Sequence, residues 1–160
     1  MDRILKIPIE NELDMSLAYR KSKDAAKLLN LSISSQTTFA TAVSEISREI
    51  IDKAKDGLLE LNISAAEEKY SLVAKFTYLE VLTLDHSEGI MYASKLVPHF
   101  DKHKIGDMHT LNLSVKIPSF VRIDREKVRN VRFYFESGEE KSPYELLLEK
   151  NYELSEINER

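Results

Sequence analysis

Cysteine is absent from the 160 residues of this chain. That excludes disulfides, thiol catalysis and cysteine-based zinc sites, and it fits a reducing compartment such as the cytoplasm. Long apolar runs are missing too. Nothing approaches the about 20 residues that span a bilayer, so no membrane contact is expected. The start, Met1-Asp2-Arg3-Ile4-Leu5-Lys6, carries charges inside any would-be signal core and does not read as a secretory peptide. An excess of positive charge is also lacking. At −4 overall the chain has no general attraction to nucleic acid. Its basic stretch from Arg122 to Arg132 is interrupted by Asp124 and Glu126, so nucleic acid is not an expected partner. There is no internal repeat and no low-complexity segment. With 42% hydrophobic and 31% charged residues, the composition describes a soluble globular protein with one sizeable core.

The strongest pattern runs through residues 39–57. Phe39, Val43, Ile46, Ile50 and Ala54 recur at steps of three and four, the period of a helix with one buried face. Ser34 or Ser35 is expected to cap its start. Gly57 is expected to close it in the left-handed conformation. Glu45, Arg48, Glu49 and Asp52 follow the same steps and form a polar stripe beside the buried face. One reading makes the stripe a solvated face in which Arg48 pairs with Glu45 or Asp52, each pair contributing a few tenths of a kcal/mol. The other makes it the lining of a ligand pocket. Periodicity by itself favours the solvated face.

Around this helix the chain alternates strands and helices. Leu5, Ile7 and Ile9 alternate with Lys6 and Glu10 as a strand, and Pro8 places it at a sheet edge because it removes a ladder donor. A helix follows, capped by Asp14 or Ser16, burying Leu17, Ala25, Leu28 and Leu29 and ending near Asn30. After Gly57, Leu59, Leu61 and Ile63 form one strand. Tyr70, Leu72, Ala74, Phe76 and Tyr78 form the next, and the short link between them predicts an antiparallel hairpin. A helix is expected over residues 89–100, with Pro98 kinking or ending it. Leu111, Leu113, Val115 and Ile117 make the clearest strand. Val131, Phe133 and Phe135 suggest a last one. This order predicts an α+β two-layer sandwich, a mixed, mainly antiparallel sheet with helices on one face.

The spelling of the central helix, Thr41-Ala42-Val43-Ser44-Glu45-Ile46-x-Arg48, with Ala54 and Gly57 following, resembles the signature helix of the histidine-kinase-like ATPases, the GHKL superfamily. The closest likeness is to the anti-sigma-factor serine kinases, over roughly residues 4–117. The resemblance implies the Bergerat fold and a nucleotide site. It makes Glu45 the equivalent of the general base, catalytic if the protein is active. Glu49 falls where the family has the Asn that holds Mg²⁺. A second family motif, a Gly-x-Gly turn that receives phosphates at a helix start, corresponds to Ser87-Glu88-Gly89, so Ser87 and Gly89 are the equivalent cofactor-binding positions. The family's Gly-Thr before the last strand appears as His109-Thr110, which adds Thr110. The Asp-x-Gly-x-Gly that grips adenine is missing; Asp85 has no glycine at the right spacing, and no room remains for an ATP lid. Glu45, Glu49 and Glu88 together would repel a triphosphate. The expectation is therefore no cofactor, with Mg·ATP the ligand should the site function.

Other constellations carry less. His99 and His103 would sit one turn apart on a helix, but zinc needs three or four convergent ligands, and no metal site is expected. Ser44 has no nearby His to support a hydrolase triad. In the tail, Tyr144, Leu147, Asn151, Leu154 and Asn158 form a short heptad pattern after Ser142-Pro143. It reads either as a dimeric coiled coil or as a helix docked on its own domain. The sequence thus divides into a histidine-kinase-like domain, 1–137, and a helical linker, 138–160, of the kind that joins modules in bacterial sensor kinases and two-component systems. The expected role is a non-catalytic regulatory module, a pseudo-kinase. It would bind protein partners such as sigma or anti-sigma regulators or linked kinase modules, with a homodimer as the assembly that the coiled-coil reading of the heptads implies. The alternative is an ATP-dependent serine or histidine protein kinase with a shortened lid.

Overall fold

The computed structural model describes residues 1–137. The expected linker and its Tyr144–Asn158 heptads lie outside the described residues. In chain order the elements are β1 (Asp2–Ile9), α1 (Glu12–Leu28), α2 (Ile33–Lys53), β2 (Ala54–Ala66), β3 (Lys69–Glu80), α3 (Glu88–Leu96), β4 (His99–Ile105), β5 (Met108–Lys116) and α4 (Arg125–Glu136). The strands form one sheet in the order β1-β2-β3-β5-β4, antiparallel at every step. This is the predicted α+β two-layer sandwich, with Pro8 on an edge strand as its missing donor requires.

Alternation along the strands decides what each face meets. Leu59, Leu61 and Ile63 stand opposite Phe76, Ala74 and Leu72, which stand opposite Leu111, Leu113 and Val115. All are buried and join Phe39, Val43, Ile46 and Ile50 of α2 and Ala18 and Ala25 of α1 in one core. Burying a side chain of the Leu or Ile size contributes about 1.5–3 kcal/mol, so this layer is the main source of stability. The other face carries a polar row across the strands: Lys6, Glu60, Lys75, Asn112 and Asp101 lie in register.

Several local expectations are corrected. α1 is capped by Asn11, whose side chain accepts from Asp14 N, while Asp14 reaches back to the Asn11 backbone in a capping box. α2 begins earlier than expected, capped by Ser32, which accepts from Ser35 N at 3.1 Å. It ends at Lys53 with Ala54 already extended, so Gly57 is a strand residue rather than a helix cap. The left-handed residue there is Asp56, at φ 54°. Gly57 serves close approach instead: a Cβ on it would lie 2.6 Å from Ile50 Cγ2 and 2.7 Å from Ile9 O. The β2–β3 hairpin turns through Glu67 and Glu68, both at positive φ, the geometry that a two-residue link between twisted strands demands.

The expected strand over Val131–Phe135 is a helix. Asp124 caps it by accepting from Lys127 N at 2.8 Å. Val128 and Val131, three apart, are buried, while Phe133 is exposed. The helical period therefore prevails over the alternation of Val131, Phe133 and Phe135. The expected helix to Phe100 ends at Leu96, and His99–Ile105 is strand β4. Pro98 supplies the stop. β4 escapes a pattern search because it is an edge strand with charged residues on both faces.

Candidate functional site

Three of the site positions inferred from the sequence, Glu49, Ser87 and Gly89, lie where α2 packs against α3. α3 is capped by Ser87, whose hydroxyl accepts a hydrogen bond from Ile90 N at 3.3 Å. Gly89 and Ala93, one turn apart, are both buried and give α3 a smooth face. Glu49 fills the space that this face leaves. A Cβ on Gly89 would lie 2.6 Å from Glu49 Oε1 and 2.7 Å from its Cγ, so any side chain there would force Glu49 to shift.

Glu49 is only 9% exposed. The solvated-stripe reading therefore fails at this residue, because α3 covers it. A buried carboxylate needs compensating charge. Lys53, one turn along α2, brings Nζ to 3.0 Å from Glu49 Oε2, without the alignment of a hydrogen bond. The first turn of α3 adds the positive end of its helix dipole. One turn before Glu49, Glu45 is paired with Arg48 across three residues. There the solvated-face reading holds: Arg48 is exposed, and it chooses Glu45 over Asp52.

Glu49, Ser87 and Gly89 are thus brought together, with Glu45 one helical turn away. Thr110 is not. It lies on β5 between Thr77 and His103, and strand alternation puts its side chain on the face opposite Leu111 and the helices. Its neighbour His109 faces the helices instead. His109 stacks on Tyr78 with ring centroids 5.3 Å apart, and its Nε2 lies 3.5 Å from Glu80 Oε2. Burial pushes the Tyr78 hydroxyl up to about 12, and the nearby carboxylates of Glu80 and Asp85 add to the shift. No sequence spacing announces this trio. It depends on the cross-strand register of β3 and β5, which pairs Tyr78 with His109.

Asp85 takes no place in this cluster of buried groups. Its carboxylate is exposed and hydrogen-bonded by Lys102 Nζ of β4 at 2.8 Å, which together with the lysine charge holds it below the usual carboxylate range. The His99–His103 pair falls on a strand, not a helix. The two rings are therefore separated by four strand steps of about 3.3 Å each, too far to share an ion. His103 pairs with Asp101 at 3.0 Å instead. Among the described residues no three His, Asp or Glu side chains converge on a metal-sized space.

Fold and site together define a two-layer α+β domain whose central helix junction is sealed by its own carboxylate. The chain matches no protein-family model and no curated protein sequence. Among the described residues no helix is long and apolar enough to cross a membrane. Chemically, the junction sets a carboxylate beside the first turn of α3, near the helix end whose dipole favours negative charge.

Proposed function

We propose that this chain is a non-catalytic regulatory module of the histidine-kinase-like, anti-sigma-factor-like kind. It would act in the cytoplasm of a bacterium by binding protein partners in signal transduction. The observation that carries the reading is Glu49 packed against Gly89. Where the resemblance implies a metal-bound phosphate, this chain supplies a carboxylate of its own, repelling a triphosphate and occupying its space. Three further features support it. The hydroxyl of Ser87 is committed to capping α3, Thr110 faces away from the junction, and only residues 81–87 separate β3 from α3. That segment is too short for an adenine-gripping glycine loop followed by a lid.

The test is a calorimetric titration of the full chain with Mg·ATP. No heat of binding is expected at micromolar nucleotide. A dissociation constant in the low micromolar range would falsify the reading. It would favour the ATP-dependent kinase, with Glu45 as its base.

A further inference from the structure

A second feature of the molecule lies away from the α2–α3 junction and does not depend on the reading given for it. A groove of about 720 Å³ opens beside β1, between the last turns of α4 and the polar face of the sheet. Arg3, Lys6, Lys75 and Arg132 line it, against the carboxylates of Glu60 and Glu136. Strand register sets Glu60 between Lys6 on β1 and Lys75 on β3. Lys6 and Lys75 make no ion pair among the described residues, and Arg132 spends its Nε on the backbone oxygen of Arg3 at 2.9 Å. The half-buried side chains of Leu5 and Phe135 add an apolar patch to the same groove.

We propose that this groove is the docking site of the chain's own C-terminal segment, residues 138–160. Three observations select that occupant. The first is place: α4 ends at Glu136, and Phe135 and Glu136 are themselves groove residues, so the described chain ends at the groove's rim. The second is charge. Residues 138–160 hold seven Glu against Lys141, Lys150 and Arg160, which accounts for the entire net charge of −4, and residues 1–137 are balanced. The third is composition. Leu146, Leu147 and Leu148 follow Glu145 and precede Glu149, so acidic and apolar groups arrive together, as the groove's lysines and its Leu5–Phe135 patch require. A segment tethered at the rim meets the groove at an effective concentration on the order of millimolar, so modest attraction suffices.

The absence of cysteine makes the test clean, because Ser142→Cys gives the full chain one attachment point for a nitroxide. In isotope-labelled protein at low ionic strength, the amides of Lys6, Glu60 and Lys75 should lose intensity several-fold relative to the reduced label. Salt at about 1 M shortens the screening length to about 3 Å and should restore them. The Lys6→Glu, Lys75→Glu double variant should do the same, and the salt arm stands even if that variant folds poorly. A second sample mixes isotope-labelled chain lacking the nitroxide with unlabelled chain carrying it. Intensity loss there means that a second copy fills the groove and overturns the proposal. Undiminished amides in the first sample overturn it, as does broadening that survives both salt and the double variant.

Discussion

Glu49 Oε1 lies 2.6 Å from the point at which a side chain on Gly89 would begin. A residue four steps from Glu45 on the same helix is thereby withdrawn from solvent, while Glu45 stays half-exposed and paired with the exposed Arg48. The two carboxylates share a sequence stripe and have different surroundings. At Glu49 the difference comes from α3, whose Gly89 packs directly against the carboxylate.

Gly89→Ala should destabilise the domain by about 1–3 kcal/mol, the usual cost of forcing a methyl group into a filled contact. Adding Glu49→Ala should return part of that loss, since the clashing atoms are then gone. Urea unfolding of the two single variants and the double variant measures the coupling. Strictly additive effects would show that the two residues do not share the space.

Glu49→Asn, which supplies the amide that the resemblance calls for, should leave the chain unable to bind Mg·ATP. Asp85 remains paired with Lys102, Ser87 remains the α3 cap, and no glycine loop is created. Calorimetry on the variant checks this. Tight binding after the single exchange would mean that the rest of a nucleotide pocket is intact.

Gly57→Ala should be at least as damaging as Gly89→Ala. One of its clashes, at 2.7 Å, is with the backbone oxygen of Ile9, which is held in the β1–β2 ladder and cannot rotate aside. The loss should exceed about 2 kcal/mol and appear in thermal or urea unfolding. A neutral substitution would show that β1 slides easily over β2.

Tyr78 should ionise only near pH 12, later than an ordinary tyrosine. A folded-state value raised above the unfolded one means stability that is fully present below about pH 10 and lost as pH climbs toward 12. Two units correspond to about 2–3 kcal/mol. Tyr78→Phe should flatten this part of the alkaline stability curve, and ultraviolet titration of the native protein should show a late phenolate that this variant loses. Ionisation of every tyrosine near pH 10 in the folded state would contradict it.

Asp85 should titrate below the usual carboxylate range, and Lys102→Met should bring it back up by removing both the hydrogen bond and the charge. With a depressed folded-state value, whatever stability the pair adds is present at neutral pH and fades as pH falls through that value. Carboxyl carbon shifts followed by NMR report it residue by residue. A titration unmoved by the substitution would remove Lys102 as the cause.

Much of this protein was determined by its sequence alone, because the signals are local. The period of Phe39, Val43, Ile46 and Ile50 placed α2, and alternation placed β2, β3 and β5 with the correct residues buried. Pro8 marked the edge strand, and the missing cysteines excluded a class of chemistry. Strand β4 and helix α4 were not legible. An exposed edge strand has no apolar alternation to show, and three aromatic or branched residues at alternate positions fit a strand as well as a capped helix. The tertiary structure alone decided the character of the candidate site. Whether Glu49 faces water or protein depends on how closely α3 approaches α2, which is set by the missing side chain of a residue forty positions away. That Thr110 faces away and His109 faces inward depends on the register of β5 against β3, since one step along a strand exchanges the two faces of a sheet.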